Sequence, residues 1–122
     1  LVQAALKRFN RSPITNRQSP IRALAHITGG GFLDNIPRVL PRNCDAVIHK
    51  GTWDMLPVFQ IITERGGVAG AELYQVFNMG VGMTMIVAAE QADVALRFIR
   101  AQGHKAWLIG EIAKGAGRVQ IK

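Results

Sequence analysis

The run Ala25–Pro41, AHITGGGFLDNIPRVLP, constrains this chain more than any other stretch. Three consecutive glycines follow a short apolar segment holding His26 and Thr28, and a helical pattern with Asn35 and Arg38 comes directly after. Glycine has no Cβ, so its backbone tolerates positive φ and lets N–H groups come close to a ligand. A glycine turn that opens a helix also aims N–H groups without intrahelical partners, and the positive end of the dipole, at a bound anion. Thr28, Gly29, Gly30 and Gly31 are therefore the first candidates for holding a phosphate or a phosphoryl group in transfer. The plainer alternative is a strand-to-helix turn that needs glycine for packing, but three in a row exceed what a simple turn demands.

Asn35 and Arg38 lie three residues apart, a spacing that puts them on one helix face. Arginine binds phosphate in bidentate geometry, and an amide can read a hydroxyl or a carbonyl. A capping and surface ion-pair role is the bland counterpart. Pro37 falls between them, in the first turns or at a kink, and Asp34 reads as an acid favoured by the helix dipole. His26 is the candidate proton mover or orienting group, since imidazole changes protonation near neutral pH. Weighed evenly against this is a strand histidine bonded to a backbone carbonyl that holds the loop. His49 and His104 have no such context and read as surface residues. A second glycine turn, Asn78-Met79-Gly80-Val81-Gly82, offers Asn78 and Gly80 as further substrate contacts, or simply lets two backbones approach. Glu72 reads as a solvated helix acid.

Around these motifs the pattern alternates irregularly between helix and strand. Val2, Ala5, Leu6 and Phe9 predict a helix over 2–10 with Lys7 and Arg8 outward, and Asn10–Pro20 reads as a loop. Strands are expected at Ala23–Thr28, Cys44–His49 and Met83–Ala88, and a helix at Gly31–Leu40 ended by Pro41. Asp54 is the expected cap of a helix with Val58, Ile61 and Ile62 facing inward and Pro57 in its first turn, stopped by Gly66 and Gly67. Ala69–Phe77 reads as a short helix. Ala92, Ala95, Leu96 and Ile99 mark another, stopped by Gly103. Lys105–Ala113 and Arg118–Lys122 read as a closing pair of strands around a glycine turn at Gly115–Gly117. The class is α+β, a mixed sheet packed with helices, in a single domain over residues 1–122. Met79, Met83 and Met85 read as core filling, and Trp53 and Trp107 as core or interface.

At 122 residues, with 48% hydrophobic and 19% charged side chains, the chain can bury a sizeable core. No apolar run is long enough for a membrane helix. Leu1 in place of methionine suggests a piece of a longer polypeptide, and no basic and apolar signal-peptide pattern follows it. Cys44 stands alone, which fits a reducing cytoplasm and reads as a small core residue. The net charge of +7 is uneven: residues 1–50 hold eight Lys/Arg against two acids, residues 51–122 seven against six. The basic half is the half with the glycine loop, so the excess can steer a phosphorylated small molecule or pair with an acidic neighbouring domain. Nucleic acid is disfavoured, because aromatic and basic residues are not interleaved as single-strand binders require.

AHITGGGFLDNIPRVLP, the later Trp53-x-x-x-Pro57 and AELYQVFNMGVGM together resemble the C-terminal domain of the aminoimidazole ribonucleotide synthetase (phosphoribosylformylglycinamidine cyclo-ligase) family of purine biosynthesis. The likeness runs from the first helix to Ile109-Gly110. Where that family often reads E-M-Y-R-T-F-N, Gln75 and Val76 stand in place of the arginine and threonine. The resemblance implies a two-domain, homodimeric enzyme whose absent N-terminal domain supplies most ATP and Mg2+ contacts, while this chain forms the substrate side of the cleft. It implies that the formyl oxygen of formylglycinamidine ribonucleotide is phosphorylated by ATP, that an amidine nitrogen attacks the activated carbon, and that phosphate leaves. No metal site is expected on this chain. The alternatives are a sister synthetase or kinase of the same superfamily and a non-catalytic basic module for nucleic acid.

Overall fold

The computed structural model describes residues 1–10 and 19–122, so most of the expected Asn10–Pro20 loop lies outside the described residues. The elements run α1 Val2–Phe9, β1 Ile21–His26, α2 Gly31–Asn35, a 3-10 helix Ile36–Val39, β2 Cys44–Ile48, α3 Pro57–Gly66, α4 Gly70–Val76, β3 Met83–Val87, a 3-10 helix Ala89–Gln91, α5 Ala92–Ala101, β4 Gly110–Lys114 and β5 Val119–Ile121. The α+β class holds. β1 and β3 make one two-stranded sheet, and β4-β2-β5 a second. The second sheet is mixed: β4 runs antiparallel to β2 and β5 parallel to it.

The chain forms two compact units. The first contains Leu1–Leu24 and Met85–Leu108. Its core is built from the apolar face of α1 on that of α5, with Ala5, Ile21 and Ala95 buried and Phe9 meeting Phe98 edge-on at 5.5 Å. Asn10 ends α1 and ties it to the start of β1 through its amide, donating to Ile21 O at 3.2 Å and accepting from Ile21 N–H at 3.1 Å. α5 stops as expected at Gly103, which has φ +82°.

The second unit, Ala25–Thr84 and Ile109–Lys122, holds the glycine-rich motifs. β2 is central in its sheet, so Ala46, Val47 and Ile48 are buried without the alternation of a half-exposed strand. Phe32 of α2 packs against Trp53 at 5.7 Å and Tyr74 at 6.4 Å, and Trp53 meets Tyr74 edge-on at 6.5 Å. Trp53 thus belongs to the core, whereas Trp107 of the other unit is half-buried.

Several local expectations are corrected here. The helix foreseen over Gly31–Leu40 is α2 followed by a 3-10 turn, because Pro37 has no N–H to continue the α-helical ladder. β1 starts and stops two residues earlier than expected, so Ile27 and Thr28 belong to the loop. β4 and β5 do not pair with each other; each flanks β2. Asp54 does not cap α3, whose N-cap position is Leu56, with no side-chain cap bond and Pro57 in its first turn. The face of α3 that turns inward carries Phe59, while Val58 and Ile61 are exposed. Of the three methionines assigned to the core, Met79 is fully buried, Met85 half-buried and Met83 exposed. Cys44, at the outer end of β2, is half-buried.

Candidate functional site

The glycine loop begins where β1 ends. Ile27, almost completely buried, donates its N–H to Gly82 O at 2.9 Å and fixes the exit direction. Thr28 then opens a tight turn closed by Gly31 N–H to Thr28 O at 3.0 Å, and α2 starts with Asp34 N–H to Gly30 O at 3.0 Å. Asn35, buried at the end of α2, folds its amide back beneath the loop. Its Nδ2 donates to the carbonyls of Gly31 at 2.8 Å, Gly29 at 3.2 Å and Thr28 at 3.4 Å, while its Oδ1 accepts from Thr28 Oγ1 at 3.4 Å. Asn35 is therefore committed to bracing the loop and does not share an exposed face with Arg38, whose side chain is solvent-exposed.

The three glycines have three different reasons to be glycine. Gly30 has φ +92°, and a Cβ there would meet Asp34 Cβ at 2.6 Å and Oδ2 at 2.7 Å. Gly31 has φ +55°, and a Cβ there would press into the Tyr74 carbonyl oxygen and lie 2.7 Å from that of Phe77. Both are demanded by the fold. Gly29 has no such demand: its φ is not positive and a Cβ there would meet nothing within 4 Å. Among the described residues the N–H groups of Gly29 and Gly30 have no acceptor, whereas that of Gly31 is spent on Thr28 O. The Asp34 carboxylate flanks Gly30, so the side of the loop open to an anion is the Gly29 side.

The second glycine turn is tied to the first at two points. Gly31 seats on the C-terminal carbonyls of α4, just before Asn78, and Ile27 holds Gly82. Asn78 Oδ1 accepts from Gly80 N–H at 2.9 Å and Asn78 O accepts from Val81 N–H at 2.9 Å. Met79 has φ +53°, and it is the one non-glycine residue with positive φ among those described. A conformation of this kind costs on the order of 1–3 kcal/mol and persists only where its surroundings over-determine it. Here the Trp53 indole N–H donates to Met79 O at 3.0 Å and the Met79 side chain is sealed in the core. The Trp53–Met79 clamp escaped the sequence reading; a tryptophan upstream of N-M-G gives no spacing signal for a contact across 26 positions.

Thr28, Gly29, Gly30, Gly31 and Asn35 thus form one structure, and Asn78 and Gly80 lie on a turn fastened to it. His26 is exposed at the end of β1 and makes no hydrogen bond among the described residues, so of its two readings the loop brace does not apply, and Asn35 supplies it. Glu72 is exposed on α4. No group of three or more His, Cys, Asp or Glu among the described residues is placed to hold a metal. No helix among them is long and apolar enough to cross a membrane.

Residues 2–122 match the family model described as AIR synthase related protein, C-terminal domain, and the chain belongs to that family. It is 48% identical over 96 residues to a phosphoribosylformylglycinamidine cyclo-ligase of Nitrosospira multiformis, an alignment covering 79% of this chain and 27% of that enzyme. It also superposes on the crystal structure of a thiamine-monophosphate kinase from Stenotrophomonas maltophilia with a TM-score of 0.63 at 17% identity, over 95% of this chain and 32% of the kinase. The second likeness is one of fold. The chain spans about a quarter to a third of the length of these relatives.

Proposed function

We propose that this chain is the substrate-side, C-terminal part of an ATP-dependent cyclo-ligase that closes formylglycinamidine ribonucleotide to aminoimidazole ribonucleotide in purine biosynthesis. The observation that carries the reaction is the 48% identity to an enzyme named for it, over four-fifths of this chain. The location rests on the geometry of the loop: two N–H groups without acceptors among the described residues, beside an open glycine face.

In this reading the N–H groups of Gly29 and Gly30 and the Thr28 hydroxyl receive phosphate oxygens, with Asn35 holding the loop in the receptive shape. Arg38 adds a mobile guanidinium able to take a phosphate in bidentate fashion. Asn78 directs its Oδ1 to Gly80 and keeps its two amide protons for the substrate. His26, exposed and without a competing hydrogen bond among the described residues, is the group that moves a proton as the amidine nitrogen attacks. ATP supplies the phosphoryl group that turns the formyl oxygen into a leaving group. ATP and Mg2+ are assigned mainly to the preceding domain, as the family resemblance implies. The whole enzyme is proposed to be a cytoplasmic homodimer, and the 122-residue chain alone to lack turnover.

The test is ATP-dependent product formation by the longer polypeptide, with the Michaelis constants of both substrates measured for wild type and Arg38→Ala. The variant should raise the constant for the ribonucleotide about tenfold or more and leave that for ATP nearly unchanged. A wild-type enzyme that consumes ATP without ring closure defeats the reaction; equal changes in both constants remove Arg38 from the phosphate site.

A further inference from the structure

α3 is apolar on two sides, and its own unit covers only one. Phe59 faces inward, its ring 6.1 Å from that of Phe77. On the other side Met55, Leu56, Val58 and Ile61 are 47%, 53%, 49% and 51% exposed. Val58 and Ile61, three apart on α3, share one helical face, continued one residue on by the half-buried Ile62, and Met55 and Leu56 immediately precede the helix. Gln60 and Glu64 are bonded to each other at 3.1 Å, and Arg65, four residues after Ile61, puts a cation at the end of this face. A helix with two apolar faces belongs between two layers, and contiguous exposed apolar residues of this size mark an interaction surface.

We propose that the Met55-Leu56-Val58-Ile61 face is the seat of the preceding domain of the same polypeptide, a reading that rests on the chain being the C-terminal part of a longer enzyme. Two observations and one general argument select this occupant. The family is defined as a C-terminal domain, and the relatives carry roughly three times as much polypeptide as this chain spans. A covalently attached domain meets the face at an effective concentration that a separate partner has to reach in solution. The face also runs into the candidate site: a Cβ on Gly80 would touch Leu56 Cγ and Phe59 Cε2, each at 3.7 Å. A domain seated on α3 therefore borders the Asn78–Gly80 turn, where a nucleotide-bearing domain has to be if it is to deliver a phosphoryl group to substrate held by the glycine loop. The surface that docks on α3 is correspondingly apolar, with its polar groups at the rim.

Methionine oxidation reads this face directly, because thioether reactivity follows exposure. The longer polypeptide is treated with hydrogen peroxide and its methionines are followed by peptide mass spectrometry, in wild type, Ile61→Arg and Gln60→Arg. Met55 should react about tenfold more slowly in wild type and in Gln60→Arg than in Ile61→Arg. Met79, buried in the core, stays unreacted throughout and reports that each protein is folded. Equal reactivity of Met55 in all three overturns the proposal. Protection that falls on dilution overturns it in favour of a second copy of the chain. Cyclisation is assayed on the same samples, so the two readings fail separately: Met55 protected in a protein without cyclisation leaves the docking surface and removes the cyclo-ligase, and Met55 free in an active enzyme does the reverse.

Discussion

Two glycine turns of the second unit are each held from beneath by one buried polar side chain, and the two braces work in opposite senses. Beneath the loop Thr28–Gly31, Asn35 donates its amide protons to carbonyl oxygens. Beneath the turn Gly115–Arg118, Asp45 Oδ1 accepts from the N–H groups of Ala116 at 2.7 Å and Arg118 at 2.9 Å, while Oδ2 accepts from Gln120 Nε2 at 2.9 Å. The amide brace occupies carbonyls and leaves loop N–H groups outward; the carboxylate brace consumes them. Glycine at the start of the Asp45 turn is also demanded by close approach, since a Cβ on Gly115 would press into the Asp45 carboxyl group. Glycine content alone therefore does not distinguish a ligand loop from a structural turn. The chemistry of the side chain underneath does.

Gly31→Ala sharpens this comparison most. It places a Cβ against two backbone carbonyls at positive φ, and we expect a loss of at least about 3 kcal/mol or no folded protein, read by urea unfolding. Stability within 1 kcal/mol of wild type, approximately, would mean that the loop relaxes away from α4. Asn35→Asp inverts the upper brace into an acceptor facing three carbonyls. It should cost about 2–3 kcal/mol at neutral pH, with part recovered as the new carboxyl is protonated in acid. A neutral effect would show that the amide does not hold the loop. Trp53→Phe removes the indole donor and leaves Met79 O buried without its partner, for about 1–2 kcal/mol in thermal unfolding.

Asp45 gives the smallest and most selective effect. The N–H groups of Arg118 and Ala116, and then Gln120, hold its carboxyl below its ordinary value of 3.8. A carboxylate with a lowered folded pKa stabilises above the unfolded value and loses that contribution as pH falls through the folded one. Asp45→Asn keeps an oxygen for the backbone donors but removes the charge, so it should flatten the loss of stability below about pH 4. An unchanged acid limb in Asp45→Asn would assign that limb to other carboxyls.

Much of this was legible in the residues. Periodicity located α1, α5 and β2, and Gly67 and Gly103 ended helices by left-handed caps as their positions suggested. What the pattern concealed came from tertiary context. A 58/61/62 repeat reads as a buried face on any helix, yet α3 buries Phe59 and turns Val58 and Ile61 outward, because apolarity does not say which layer covers it. β4 and β5 read as a hairpin across a glycine turn, but β2 supplies a partner on each side and Asp45 shapes the turn from beneath. In the candidate site, glycine spacing marked the loop, but it could not separate Gly29 from Gly30 and Gly31 or show that Asn35 faces inward. Those distinctions depend on Asp34, Tyr74 and Phe77 closing over two glycines and leaving the third open.

The most direct test of the open glycine is ring closure by the longer polypeptide carrying Gly29→Asp, compared with wild type after thermal unfolding of both. Aspartate at position 29 fits the fold and sets a negative charge where phosphate is proposed to bind. The account predicts an unfolding temperature within a few degrees of wild type and cyclisation reduced at least about a hundredfold. A folded Gly29→Asp enzyme that turns over at the wild-type rate would contradict it, and would leave the glycine loop a structural turn like the one Asp45 holds.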